Sequence, residues 1–183
     1  MSEPSPSTVP QDRSRQIAAV AKELLDAEGP DGLSMRRVAA QVGVTAPALY
    51  RYFPDKAQLE DAIISEAHWE LGDACAARLV VAREEGRDEL LTLVRTYREW
   101  AREHPHLYRL VYCSPIGRNR RDPAAESYGA DQLRGQVGHD PAAAGAIWAL
   151  CHGIVMLELD GRMTEAMSSV AILERGVAAL RPD

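Results

Sequence analysis

Between Ser34 and Lys56 the chain reads SMRRVAAQVGVTAPALYRYFPDK, with four basic residues (Arg36, Arg37, Arg51, Lys56) against one acid, Asp55. Two tyrosines, Tyr50 and Tyr52, sit among them. Guanidinium, ammonium and phenol groups on one exposed surface suit hydrogen bonding to phosphate oxygens, and guanidinium also suits base edges. Other reactive side chains do not form a comparable set. His104 and His106 lie in a His-Pro-His run, but no acidic or cysteine ligand follows at metal-binding spacing, so helix-bend residues are the better reading. Cys151 and His152 are neighbours; on a helix they point about 100° apart and cannot act as a nucleophile–base pair. The chain has no glycine-rich phosphate loop, no paired zinc motif and no Gly-x-Ser-x-Gly. The expectation is therefore a binding protein without a catalytic centre, a metal or a cofactor.

The elements that must hold those basic groups are legible in the caps. Ser34 and Thr45 each offer a side-chain oxygen to an orphan N–H at a helix start. Leu33 with Val38, and Val44 with Leu49, fit a hydrophobic staple around each cap. Gly43 suits the positive φ that ends the first of the two helices. Val38, Val42, Val44 and Leu49 then share one small core, with Ala39 small where the helices cross. Two short helices joined by a tight turn make a helix-turn-helix, whose second helix enters the major groove of DNA.

Net charge is −6, which opposes nucleic-acid binding taken over the whole chain. Residues 1–56 carry seven Lys/Arg and seven Asp/Glu, so the entire acidic excess lies after residue 56 and the local basic patch is what DNA meets. The three cysteines, Cys75, Cys113 and Cys151, are odd in number and widely spaced, which fits reduced thiols in a cytoplasmic protein. The polar, Pro/Ser-rich start is not a signal peptide, and residues 1–10 are expected to be a disordered arm. No uninterrupted apolar run is long enough to span a membrane.

The remaining pattern is helical throughout. A first helix is predicted from about Pro10 to Glu28, with Ile17, Val20, Ala21, Leu24 and Leu25 as its stripe; Arg13 and Arg15 near its start are either phosphate contacts or solvated. Asp55 caps a long helix from Lys56 to about Arg83, broken by Gly86. Further helices are predicted at Asp88–Glu103, over HPHLYRLVYC, and from Pro123 to about Gln136. SPIGRNRRD, residues 114–122, reads as a polar loop with three arginines. Asp140 caps PAAAGAIWALCHGIVMLEL, apolar on nearly every side, and Met163, Met167, Val170, Leu173, Val177 and Leu180 mark a last seam. A helix apolar all round must be covered all round, so a four-helix bundle shared by two subunits is expected.

VAAQVGVTAPALYRYFPDKAQL resembles the helix-turn-helix signature of the TetR family of one-component transcriptional regulators, including the Leu-Tyr pair, Phe53 and Lys56. HPHLYRLVY and WALCHGIVMLELDGR resemble a TetR C-terminal subclass with a Trp-x-x-x-His-Gly segment. The resemblance implies an all-α fold of about nine helices, with a DNA-binding domain at 11–55 and a ligand-binding and dimerisation domain at 56–183. It also implies a cytoplasmic homodimer that binds a palindromic double-stranded operator and is released by a small-molecule effector. The alternative is a small-molecule-binding protein of the same fold that no longer regulates DNA.

Carried over by position, the resemblance gives Arg36 a base edge or nearby phosphate, and Thr45 a phosphate beside its cap. Ala46, Pro47 and Arg51 would face base edges, Tyr50 and Tyr52 the backbone, and Lys56 a phosphate at a helix N-terminus. Ala46-Pro47-Ala48 carries no polar side chain, so Arg51 and Arg36, or DNA shape, must supply the discrimination. Candidates for an effector cavity are Trp69, Tyr97, Trp100, Tyr108, Tyr112, Cys113, Trp148, His152 and Met156, although ordinary core or dimer packing is the better reading for each taken singly.

Overall fold

The computed structural model describes residues 8–113, 122–164 and 166–182. Within them the chain is all-helical: α1 (Thr8–Glu28), α2 (Met35–Gln41), α3 (Ala46–Tyr50), α4 (Lys56–Glu84), α5 (Glu89–Glu103), α6 (Pro105–Cys113), α7 (Pro123–Gln136), α8 (Pro141–Leu159) and α9 (Ser169–Leu180), with a single 3-10 turn at Pro30–Gly32. The first helix starts two residues before its predicted Pro10. Residues 1–7 of the expected arm and residues 114–121 of the arginine loop lie outside the described residues.

Side chains near the breaks in the sequence set the helix starts. The side chains of Ser34, Thr45, Asp55, Asp88, Asp140 and Ser168 accept from the N–H groups of Arg37, Ala48, Gln58, Leu91, Ala142 and Ala171. Each removes an orphan donor of the first turn. The Ser168 cap corrects one expectation. Met163 and Met167 precede α9 instead of lying on its seam, Met167 is exposed, and Leu173 and Val177 alone of the six are buried.

Packing divides the chain into two compact units, the first comprising residues 1–67 with 106–122 and the second residues 68–105 with 123–183. The boundary falls inside α4, one unbroken 29-residue helix. In the first unit Ile17, Leu25, Val38, Leu49, Leu59, Ile63 and Ile64 are almost wholly withdrawn from solvent. The short α6 belongs here too. Its Leu107, Tyr108 and Val111 are buried, and its His106 ring lies 3.2 Å from the point where a side chain on Gly29 would begin. Gly29 has φ +72, so that turn needs glycine both for its backbone and for the room.

The second unit is built on α5, α8 and α9. Leu90, Val94, Ile147, Cys151, Ile154, Leu173 and Val177 form its core, and Tyr97 packs against it. Arg98, almost buried, ties three helices together: its guanidinium donates to Glu158 at 2.9 and 2.5 Å and to Ser169 at 2.9 Å. Leu150 fills the space over Gly176, so α8 and α9 approach closely there. Helix α8 is, by length and composition alone, long and apolar enough to cross a membrane, although His152 and Glu158 interrupt its apolar run. Its Glu158 is fixed by Arg98.

Candidate nucleic-acid interface

The turn between α2 and α3 is closed by a complete Schellman motif. Gly43, at φ +70, donates to the Ala40 carbonyl at 3.2 Å, and Val44 donates to that of Ala39 at 2.9 Å. The staples are present in burial: Leu33 and Val38 are withdrawn, and Leu49 is at 0 % exposure with Val44 half-buried beside the turn. Val42 is half-buried rather than fully part of the core. Leu49 is thus the anchor that fixes one face of α3. The opposite face is turned to solvent, with Thr45, Pro47, Tyr50, Arg51 and Tyr52 exposed and Ala46 half-buried.

The basic residues divide according to what already holds them. Arg37 is tied to Glu28 by two contacts of 2.6 Å, bridging α2 to the end of α1. A bidentate pair of this kind leaves little of the guanidinium for another partner. Lys56 meets Glu60 at 3.4 Å, an exposed one-turn pair that contributes little and yields easily. Among the described residues, Arg36 and Arg51 are exposed and held by no side-chain hydrogen bond or ion pair. Of the four basic residues in the stretch, these two and Lys56 remain for an outside partner.

Two model families match the chain. Residues 17–63 match the bacterial regulatory proteins of the tetR family, and residues 90–180 match the tetracyclin repressor-like C-terminal domain. The chain belongs to the TetR family. Among relatives of this TetR chain, the HTH-type transcriptional repressor DrrR1 of Streptomyces coeruleorubidus is 38% identical over 109 residues, covering 55% of this chain and 36% of its own. The HTH-type transcriptional regulator Rv1816 of Mycobacterium tuberculosis is 31% identical over 96 residues, covering 52% of this chain and 41% of its own. The chain thus spans about two-fifths of the length of these curated relatives. Among solved TetR-like folds, the multidrug binding protein EbrR complexed with imidazole superposes with a TM-score of 0.70 at 22% identity, covering 99% of this chain and 97% of that one. A TetR family member from Streptomyces coelicolor A3, SCO1917, gives 0.66 at 23% identity, covering 93% and 98%. At these identities the likeness is one of fold.

The residues proposed from sequence for an effector cavity fall into separate groups. In the first unit Tyr108 is fully buried with its ring 4.8 Å from that of Tyr112, and Cys113 is exposed at the end of α6. In the second unit Trp100 is buried and donates its indole N–H to Glu70 at 3.0 Å, while its ring lies 5.2 Å from that of His104. Tyr97 is core packing. Trp69, 37 % exposed, meets Tyr128 of α7 at 5.0 Å. Trp148, 44 % exposed, stacks on His152 at 5.5 Å on the open side of α8, and Met156 is half-buried one turn on. Trp148 therefore faces away from the core of its own unit.

Several polar partners escaped the sequence reading. Tyr128 donates to Asp73 at 3.1 Å, and Gln132 donates to the Gly72 carbonyl at 2.9 Å, holding α7 on α4. The clue was Gly72 in mid-helix, because a methyl there would overlap the Tyr128 ring. A shallow hollow of about 520 Å³ lies at the α4–α5 turn, lined by Arg87, Asp88, Gln136 and Arg181 among others; none of the proposed effector residues borders it. The two histidines of the His-Pro-His run part company: His104 approaches Glu70 at 3.6 Å in the second unit and His106 rests on Gly29 in the first. Burial pushes the Cys151 thiol up to about 12 and lowers His152, so the adjacent pair is neither a thiolate nor a strong base.

Proposed function

We propose that the protein is a DNA-binding transcriptional regulator, a repressor acting as a homodimer in the cytoplasm on a palindromic operator, rather than an enzyme. The observation that carries this reading is α3. Leu49 anchors it at 0 % exposure, while Tyr50, Arg51 and Tyr52 are exposed, as are Arg36 and Lys56. A short rod with one buried and one cationic, phenol-bearing face fits the major groove, where arginine reads guanine and tyrosine and lysine bind the backbone. Thr45 would add a phosphate contact next to its cap, and Ala46 and Pro47 would offer apolar contact to a thymine methyl. The relative DrrR1 is named a repressor, which supports the direction of control.

The dimer is supported by α8, which buries only Ala144, Ile147, Cys151, Ile154 and Val155 within the chain. Gly145, Trp148, Ala149, Gly153 and Leu157 lie exposed along it, a face small enough for close helix approach and apolar enough to need cover. Release by a small molecule is supported by α4, which starts at Lys56 and runs without interruption into the second unit. An effector that shifted α4 would change the separation of the two recognition helices, and DNA and effector would then oppose each other by linkage.

The test is selection of a duplex from a random-sequence pool, followed by titration of variants. Tyr50→Ala and Lys56→Ala are expected to weaken binding across sequences, Lys56→Ala also reducing the slope of log affinity against log salt by about 0.9. Arg51→Ala is expected to relax base preference at one position by about 1–3 kcal/mol. Selection of no preferred duplex, or indifference to all three changes, overturns the reading.

A further inference from the structure

The turn that leads into α3 is held from outside by a residue of α1. In α2 the Schellman bonds take the carbonyls of Ala39 and Ala40. The carbonyl of Val42, the residue that ends α2, accepts instead from Arg13 of α1 at 3.0 Å, across 29 residues of sequence. The other arm of the same guanidinium donates to Gln16, one turn further along α1, also at 3.0 Å. A cation at a helix C-terminus is favoured by the helix dipole, and a guanidinium held at two points keeps one orientation. Arg13 is half-buried, while Arg15 is exposed.

We infer that Arg13 is a positioning residue for DNA recognition: it fixes the turn before Thr45, and hence the direction of α3 relative to α1, without contacting DNA itself. This rests on the DNA-binding reading above. Gly43 and Val44 separate the Val42 carbonyl from the Thr45 cap, so the bond acts one turn upstream of the first groove residue. Loss of the tether lets α3 swing about the turn. Such motion harms base readout, which needs fixed geometry, far more than it harms attraction to the phosphate chain, which does not.

The experiment compares wild type, Arg13→Gln, Arg13→Lys and Lys56→Ala on the selected duplex and on a scrambled duplex of equal length, over a range of salt. Circular dichroism at the assay temperature verifies that each variant is folded. Arg13→Gln is expected to lower affinity for the selected duplex about tenfold, with the scrambled duplex bound as before and the salt slope unchanged. Arg13→Lys, which keeps one donor for Val42, is expected to recover part of the loss. Lys56→Ala is the phosphate control, weakening both duplexes and lowering the slope. If Arg13→Gln behaves like Lys56→Ala, Arg13 touches phosphate and the inference is wrong. A folded Arg13→Gln variant with unchanged affinity for both duplexes also overturns it, because the tether would then be structural only. Wild type that prefers no duplex sinks the DNA-binding reading itself, a failure visible before any variant is made.

Discussion

Replacing Gly43 by alanine isolates the backbone cost of the turn ahead of α3. Gly43 sits at φ +70, and a methyl built on it meets nothing within 4 Å. Steric crowding therefore adds nothing, and the penalty is that of placing an L-residue in the left-handed region, roughly 1–2 kcal/mol. The reduced freedom of alanine in the unfolded chain returns about 0.4–1 kcal/mol. The net expectation for Gly43→Ala is a loss of about 1 kcal/mol, with Gly43→Asn costing less because asparagine tolerates this region better. Gly129, inside α7 and likewise with nothing within 4 Å, is the opposite case. Its backbone is helical, so Gly129→Ala is expected to stabilise by up to about 1 kcal/mol. Urea unfolding followed by far-UV circular dichroism, at one fixed protein concentration, measures both; in a thermal scan each kcal/mol corresponds to about 2–4 °C for a chain of this size. A Gly43→Ala variant as stable as wild type, or one no worse than Gly129→Ala, would refute the assignment of the turn.

Three further outcomes are expected. Gly176→Ala places a methyl into the Leu150 side chain and should cost about 1–3 kcal/mol, read as a lowered urea midpoint. Burial works to raise the Glu158 carboxyl, but hydrogen bonds from Arg98 and Ser169 and the charges of Arg98 and Arg102 outweigh it and hold the group below its ordinary 4.5. The folded state thus favours the ionised form, so this contribution is complete above about pH 4.5 and fades as pH falls through the lower folded value. Glu158→Gln should flatten that part of the acid-stability curve, and an unchanged curve would exclude Glu158 as a source. Native protein should expose one fast-reacting thiol to a disulfide reagent at pH 8. That thiol is Cys113, because Cys75 and Cys151 are buried and both are pushed up to about 12; three fast thiols would contradict the burial.

Much of the scaffold was readable in the chain because its signals are local. A cap and the donor it satisfies lie two or three residues apart, so Ser34, Thr45, Asp55 and Asp140 disclosed four helix starts on inspection. The groove face of α3 followed from the same locality, since fixing Leu49 inward leaves Tyr50 and Arg51 outward. Partners distant in sequence were not readable. Arg37 resembled Arg36 until Glu28 claimed it, and Arg13 resembled Arg15 until Val42 did. The aromatic residues of the later helices were hardest, because an indole or phenol serves core, cavity and interface alike. Only the assembled helices assign Trp100 to Glu70 and stack Trp148 on His152.

The lodging of His106 against Gly29 bears on how regulators of this kind can be recombined. A hybrid spliced in the middle of α4 inherits a foreign reading head complete in sequence up to the splice, yet deprived of the later segment that walls it. The donor's Gly29 turn would then meet the recipient's residue at position 106, chosen to fit a different neighbour. Splices that transplant residues 106–113 together with the head keep this seam intact, and should yield hybrids whose heads melt as they do in the parent.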